Sequence, residues 1–148
     1  MNNSKSAISN YERYRRARAK LAAGNKRAIF KGLAEAKITE VRVAFDGEGD
    51  SGQIETITAF RDNERVNLPT TTIPFRQVPR TGTRPVTVLE LPSEAIEALC
   101  YDYLEDSHGG WENNDGAFGE FRLCVSRRTI ELLFNARFTD TFTSNHTF

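Results

Sequence analysis

Apolar residues at helical spacing predict three helices in this chain. Residues 8–23 are expected to form the first helix. A second helix is expected from Asn25 to Ala36, because Gly24 interrupts the pattern and Asn25 can cap a helix. The third helix is predicted over residues 93–107. Apolar side chains mark the expected buried faces of the second and third helices: Ile29, Phe30, Leu33, Ile96, Leu99, Cys100, Tyr103 and Leu104.

The first and third helices also have recognisable starting residues. Ser9 or Asn10 can cap the first helix through a side-chain oxygen. The third helix is expected to begin either with Ser93 as its cap or with Pro92 just before its first turn. The first helix has a poor apolar face, so its packing depends on something other than its own hydrophobic residues.

Alternating apolar and polar residues predict strands arranged as hairpins. One hairpin is expected around residues 41–60 and a second around 120–138, and both are expected to join one antiparallel sheet. Residues 65–68 can pair briefly, and 86–91 form a further strand. Four of the five prolines lie in residues 69–85, which are predicted to be extended and mostly irregular. The absence of β-α-β alternation predicts an α+β fold: an antiparallel β-sheet of hairpins with helices packed on one face, preceded by a basic N-terminal helix.

Length and composition indicate an ordinary globular protein. The chain has 148 residues, of which 39% are hydrophobic and 27% charged. No apolar run approaches the roughly 20 residues that cross a bilayer, and the N-terminus has no signal-peptide core, so we expect a cytoplasmic protein without membrane contact. Cys100 and Cys124 are too few for a disulfide framework or a four-cysteine zinc site.

The formal net charge of zero hides a strong asymmetry along the chain. Residues 1–37 contain ten Lys and Arg against two Glu, a net charge of +8, and the remaining residues balance it with −8. We therefore divide the chain into a basic helical arm, residues 1–24, and one α+β domain, residues 25–148. The arm is expected to contact nucleic acid or an acidic protein surface through basic residues: Arg13, Arg15, Arg16, Arg18 and Lys20.

The predicted third helix has an acidic outer face. Complementary charge accelerates association and selects partners, so this face is a candidate surface for a basic protein partner. It is also a candidate surface for the arm itself, from the same chain or from a second copy in a homodimer. The candidate binding residues on this helix are Glu94, Glu97, Asp102, Glu105 and Asp106.

Two clusters of glycine and acidic residues are the most unusual feature of the sequence. The first runs from Phe45 to Glu55 and the second from His108 to Phe121. Glycine is used where the backbone needs a positive φ or a close approach to another group. The candidate catalytic residues are Asp46, Asp50, Glu55, His108 and Glu112, and the candidate binding residues in the second cluster are Trp111, Asn113 and Asp115.

Simpler structural roles are open for the same residues. The Asp and Gly residues of the first cluster can serve turn geometry alone. His108 can end the preceding helix, where a protonated imidazole interacts favourably with the helix dipole. Trp111 can fill the end of the hydrophobic core.

The first cluster begins like a calcium-binding loop but departs from it at decisive positions. Ser51 stands where the sharp turn requires glycine, and Ile57 stands where a bidentate glutamate is needed. A looser divalent-metal site through Asp46, Asp50 and Glu55 is an alternative. No cofactor or metal is assigned.

The clusters and the C-terminal segment carry a family resemblance. The chain resembles an uncharacterised bacterial domain family found on plasmids, integrative elements and prophage-like regions. The resemblance is carried by Phe45-Asp46-Gly47, Gly49-Asp50-Ser51-Gly52, His108-Gly109-Gly110-Trp111-Glu112 and the ending from Asn135-Ala136-Arg137-Phe138 through Ser144 to Phe148. The resemblance covers roughly residues 26–148. It implies that six residues from the two clusters belong to the family pattern: Asp46, Asp50, Glu55, His108, Trp111 and Glu112. The family has no established activity, so the resemblance implies no catalytic role.

Three functions are compatible with these observations. We favour a small mobile-element accessory protein that acts by binding, for example by inhibiting a host defence effector in the manner of anti-CRISPR proteins, through its acidic surface. The first alternative is a metal-dependent hydrolase that uses the Asp46–Glu55 and His108–Asp115 loops. The second is a nucleic-acid-binding protein that uses the basic N-terminal helix. Whether the two loops share one pocket distinguishes the first alternative from the other functions.

Overall fold

The chain forms two helices and seven strands within the residues that its structure, a computed structural model, describes, namely 9–79 and 84–148. In chain order these elements are α1 (Asn10–Glu35), β1 (Glu40–Glu48), β2 (Ser51–Arg61), β3 (Glu64–Val66), β4 (Ile73–Gln77), β5 (Val86–Glu90), α2 (Pro92–Ser107), β6 (Ala117–Cys124) and β7 (Thr129–Ala136). In the described segments, neither helix is long and apolar enough to cross a membrane.

Five of the strands make one antiparallel sheet, and two make a separate hairpin. The sheet has the order β3-β2-β1-β6-β7, so the hairpins β1-β2 and β6-β7 lie side by side through β1 and β6. Among the described strands, β4 and β5 pair with each other and with no other strand. The α+β class and the union of both predicted hairpins in one sheet are thereby confirmed.

The core lies on one face of the five-stranded sheet. Strand β1 alternates strictly, with Val41, Val43 and Phe45 buried, while Arg42 on the other face is exposed. Helix α2 packs directly on this face, where the ring centroids of Tyr103 and Phe121 lie 6.4 Å apart. Helix α1 packs against α2 and β4. The most deeply buried large side chains come from both helices and the two central strands: Phe30, Phe121, Ile29, Leu33, Ile96, Leu99, Leu104, Leu123, Val41 and Val43.

Helix α1 is continuous from Asn10 to Glu35, so the predicted break at Gly24-Asn25 is wrong. Asn25 is 6% exposed and does not cap a helix. Its side-chain Nδ2 donates to the backbone carbonyl of Arg76 at 2.8 Å, and its Oδ1 accepts from the Arg76 backbone N–H at 2.8 Å. A helical glycine costs only about 1 kcal/mol, which this attachment and the burial of Ile29 and Leu33 outweigh.

The predicted start of α1 is confirmed, and that of α2 is confirmed in one of its two forms. Ser9 caps α1 by accepting a hydrogen bond from the Glu12 backbone N–H at 3.1 Å. Helix α2 begins at Pro92, with Leu91 as its N-cap and without a side-chain cap, so the capping role expected of Ser93 is wrong. Proline suits the first helical turn because its missing N–H would have no partner there.

The proline-rich stretch contains a strand that the sequence did not predict. Ile73 and Phe75 of β4 are buried, and Pro74 between them is exposed and pairs with Leu89 of β5. Proline is tolerated here because β4 belongs to a two-stranded sheet, in which one side of each strand is an edge. Residues 80–83 of the same stretch lie outside the described residues.

The continuity of α1 can be tested by replacing each of its two glycines with alanine. Gly24→Ala should stabilise the protein by about 0.5–1 kcal/mol, because alanine loses less backbone entropy and the added Cβ meets only Arg27 Nη2 at an ordinary 3.7 Å. Gly32→Ala is the matched control: its Cβ would lie 3.0 Å from Ile73 Cγ2, so crowding should cancel the gain. Chemical denaturation measures both, and a loss of stability in Gly24→Ala would contradict a continuous helix.

Candidate functional site

The two glycine-rich clusters contact each other directly. Gly49 and Asp50 form the two-residue turn between β1 and β2, and both have positive φ, 58° and 65°. The Gly49 backbone N–H donates to the Asn114 carbonyl and the Asp50 N–H to the Glu112 carbonyl, each at 3.0 Å. The tip of the first hairpin is therefore held by the backbone of the second cluster.

Trp111 fills the junction between the clusters and explains two of the glycines. Gly47 and Gly52 are cross-strand partners, and a Cβ on either one would lie 2.6 Å or 2.5 Å from the indole ring. Trp111 is buried and meets Phe45 edge-on, with ring centroids 5.4 Å apart. A Cβ on Gly116 would lie 1.7 Å from the carbonyl oxygen of Gly47. The glycines thus permit close packing of the two clusters, the structural role open to them from sequence.

The candidate catalytic carboxylates of the first cluster do not converge. Asp46 lies on the outer face of the sheet, where its two carboxylate oxygens accept from Arg137 at 2.9 Å and 3.1 Å. Asp50 is exposed at the hairpin tip, and Glu55 is exposed on β2. Within residues 9–79 and 84–148, no three His, Cys, Asp or Glu side chains are grouped to hold a metal ion.

The candidates of the second cluster occupy several different environments. His108 is the C-cap of α2, and its ring stacks on Phe134 with centroids 3.7 Å apart. Glu112 is partly buried beside the hairpin tip, and its buried Oε2 has no hydrogen-bond partner in residues 9–79 and 84–148. Asn113 is exposed in the turn. Asp115, also exposed, accepts a hydrogen bond from the Thr139 hydroxyl at 2.8 Å.

A cleft of about 480 Å³ does border both clusters, but its chemistry is not that of the predicted catalytic set. Of those candidates it includes Asp50 and Glu112, together with Arg18 of α1 and Asp102 and Glu105 of α2. Asp46, Glu55 and His108 do not line it. The two loops therefore share a concave surface without assembling the arrangement that the hydrolase alternative requires.

The inner face of α1 is held against the acidic residues of α2 in the same chain. Asp106 Oδ1 accepts from Arg15 Nε at 3.1 Å and from Arg18 Nη2 at 2.7 Å. Arg18 Nε also forms an ion pair with Asp102 Oδ1 at 3.3 Å. The Tyr11 hydroxyl donates to Glu105 at 3.1 Å. Three of the five candidate acidic residues are thus engaged by the arm, whereas Glu94 and Glu97 are exposed.

Asp102 is the carboxylate most affected by this arrangement. Burial between the helices raises the pKa of Asp102 from its ordinary value of 3.8 to about 6, although the attraction of Arg18 lowers it in part. Because Asp106 contacts both Arg15 and Arg18, the attachment of α1 retains charged partners when Asp102 is protonated.

The outer face of α1 carries a second, separate set of basic residues, which we call the basic stripe: Arg13, Arg16, Lys20, Arg27 and Lys31. Successive members are three, four, seven and four residues apart, so they form one line along the helix. At 1.5 Å per residue the line is about 27 Å long. All five are exposed, and none has a side-chain hydrogen bond or ion pair within the described parts of the chain.

Sequence reasoning identified only part of this stripe. Arg13, Arg16 and Lys20 were grouped with Arg15 and Arg18, which lie on the opposite face of α1. Arg27 and Lys31 were missed because the predicted break at Gly24-Asn25 placed them in another helix. The seven-residue interval from Lys20 to Arg27 is the signal that could have joined the two halves.

Comparison with known proteins places the chain in a family without assigning an activity. Residues 21–148 match a family of unknown function, DUF6878, and the chain belongs to that family. The matched segment begins inside α1, so it contains Arg27 and Lys31 and excludes Arg13, Arg16 and Lys20. No curated protein and no solved structure matches the chain.

The packing of the two clusters predicts a specific coupling between Gly52 and Trp111. Gly52→Ala should destabilise the protein by about 1–3 kcal/mol, because the methyl group and the indole ring cannot occupy the same space. In a Trp111→Leu background the same substitution should cost less, and a double-mutant cycle in denaturant measures the difference. Equal costs in both backgrounds would contradict the contact. Gly49→Ala is a comparison variant: its Cβ meets open space, so any loss of stability there comes from its positive φ and not from crowding.

The raised pKa of Asp102 predicts a definite pH dependence of stability. Between pH 4 and 6 the unfolded carboxyl ionises while the native one stays protonated, so its contribution to the free energy of unfolding falls as pH rises and is constant above about 6. The difference in stability between the wild type and Asp102→Asn should show this fall. A carboxyl NMR titration of Asp102 with a midpoint near 4 would refute it.

Proposed function

We propose that this protein binds nucleic acid through the basic stripe on the outer face of α1. The observation that carries the proposal is the division of the helix into two charged faces. Arg15 and Arg18 are neutralised by α2, whereas the five cations of the stripe lack a carboxylate partner anywhere in the described residues. A line of uncompensated Lys and Arg on one face is the electrostatic signature of a phosphate-binding surface.

The energetics of the helix support the same conclusion. Like charges three or four residues apart destabilise a helix by a few tenths of a kcal/mol per pair, and Arg13/Arg16, Arg16/Lys20 and Arg27/Lys31 are such pairs. The opposite charges of Glu12/Arg16 and Lys31/Glu35, four residues apart, offset this repulsion in part. The attachment of the inner face to α2 and β4 holds the helix together despite this repulsion. A polyanion bound on the outer face would relieve the repulsion between these like charges.

The acidic residues of α2 lie on the side of α1 that faces away from the basic stripe, so they repel a bound polyanion less than residues beside the stripe would. Asp102, Glu105 and Asp106 lie on the inner side of α1, where they are already engaged by its own residues. Binding would therefore be strongly oriented, with the stripe toward the ligand and the acidic surface away from it.

The other two functions have less support from the geometry. The acidic surface that we expected to bind a protein partner is partly occupied by α1, with only Glu94 and Glu97 of its five residues exposed and unpaired with the arm. The hydrolase alternative lacks converging catalytic groups in the part of the chain that is described. An association with mobile elements, an anti-defence role and a cytoplasmic location stay predictions.

Removal of two stripe charges tests the proposal. Arg16→Gln/Arg27→Gln should weaken binding to a 24-base-pair DNA duplex by at least about tenfold at 0.1 M salt, because each lost phosphate contact also loses its counterion release. Fluorescence anisotropy with a labelled duplex measures the dissociation constant. Both side chains are exposed, so the melting temperature should hardly change.

A matched double variant controls for net charge. Arg65→Gln/Arg127→Gln removes the same two charges from exposed positions on β3 and in the turn between β6 and β7. It should bind the duplex within about threefold of the wild type, since general attraction is weak beyond a Debye length of about 10 Å. Equal weakening in both variants, or no binding by the wild type, would overturn the proposal.

A further inference from the structure

We infer that the basic stripe recognises the phosphodiester backbone of a double-stranded nucleic acid without reading its base sequence. This inference rests on the proposed function and goes beyond it by naming the form of nucleic acid and the mode of contact. It follows from which side chains accompany the cations, from where the aromatic residues of the helix lie, and from the rigidity of α1.

Along the length of the stripe the residues between its members on the outer face are small, and the exposed Glu12 and Glu35 lie just beyond its two ends. Ala17, Ala23 and Gly24 lie between members of the stripe by helical periodicity. Readout of adenine in the major groove typically uses Asn or Gln, and cytosine is contacted by Glu or Asp, whereas Arg and Lys contact guanine as well as phosphate. Beyond its first residue the only amide of α1 is Asn25, which is buried and bonded to Arg76. Between its ends the face therefore has groups that contact phosphate and, of the four bases, guanine alone, which suits binding dominated by backbone contacts that carry no sequence information.

The aromatic residues of α1 are committed to the other side of the helix. The Tyr11 hydroxyl bonds Glu105, and the Arg18 guanidinium lies over the Tyr14 ring at 5.6 Å. Proteins that bind single strands without sequence preference use aromatic side chains on which bases stack. Because the stripe has no aromatic member, its chemistry favours a duplex, whose bases are already stacked on one another.

The geometry of the stripe matches a rigid ligand. A duplex presents one phosphate per about 3.4 Å of axis on each strand, so about 27 Å of axis holds about eight phosphates of each strand, more than the five cations of the stripe. Helix α1 is held along the whole stripe: Arg18 pairs with Asp102 and Asp106 near its start, and Asn25 bonds Arg76 past its middle. Ile29 and Leu33 are buried near its end. A cation array that is already ordered loses little conformational entropy on binding a duplex that is also ordered.

The experiment compares four probes at several salt concentrations: two 24-base-pair DNA duplexes of unrelated sequence, one of their single strands, and an RNA duplex of the same length. Anisotropy titrations of the full chain between 0.05 and 0.3 M NaCl yield the dissociation constants and their salt dependence. We expect the two DNA duplexes to agree within about threefold and to bind at least about tenfold more tightly than the single strand. The logarithmic salt slope should reach about −4.5 for five phosphate contacts, at about −0.9 for each.

A single substitution adds a readout that a merely structural role would not change. Lys20→Gln should reduce the salt slope by about one and weaken both duplexes by the same factor. Tight RNA-duplex binding would agree with the inference and extend it to both kinds of duplex.

The contrary outcomes separate this inference from the proposed function. A difference of more than about a hundredfold between the two DNA sequences, or tighter binding of the single strand, would overturn the inference while leaving nucleic-acid binding intact. Absence of binding to every probe would overturn both.

Discussion

The ion pairs between α1 and α2 determine how the charge of this protein is distributed. The N-terminal half of α1 has a poor apolar face and needs another reason to lie on the body, and Asp106 supplies it by holding both Arg15 and Arg18. This attachment pairs the cations on the inner face of α1 with carboxylates and leaves the basic stripe on its outer face exposed. An exposed ion pair contributes at most about 1 kcal/mol, so a shared, partly buried cluster around Arg18 is a better anchor than isolated pairs would be.

The glycine-rich clusters have a different physical meaning from the one that their composition first suggests. Their carboxylates and histidine resemble catalytic machinery, yet Asp46 is paired with Arg137 and His108 is stacked on Phe134. The glycines make room for Trp111 and for the backbone of the neighbouring loop. Together these contacts fix the ends of the two central hairpins, and thereby the sheet on which α2 lies. Glu112 is a candidate that packing does not explain, since its buried Oε2 has no hydrogen-bond partner among the described residues.

Much of the fold was predictable because its signals are local. The alternation of Val41, Val43 and Phe45 and the helical spacing of Ile96, Leu99 and Cys100 report which face of each element is buried. The errors arise where a distant residue decides the outcome. Asn25 is a good helix cap by local rules, but Arg76, fifty-one positions away, binds its side chain inside a continuous helix. Likewise, Pro74 disfavours a strand by local rules because it lacks a backbone N–H, and its place in β4 is evident only from the pairing with β5.

The same distinction applies to the candidate site. The sequence identified the basic residues of the arm and the acidic residues of α2, because composition alone reveals them. It could not separate Arg15 and Arg18 from Arg13 and Arg16, since their roles depend on which face of α1 meets α2. That separation is the basis of the proposed function.

The central claim is that α1 binds the carboxylates of α2 with its inner face and the phosphates of a nucleic acid with its outer face. NMR can test this claim directly. In a titration of the labelled protein with a DNA duplex, the account predicts perturbed side-chain signals for Arg13, Arg16, Arg27 and the two stripe lysines, with the Arg15 and Arg18 guanidinium signals unchanged. Perturbations at Arg15 and Arg18 with release of Asp106, or perturbations confined to residues outside α1, would contradict it.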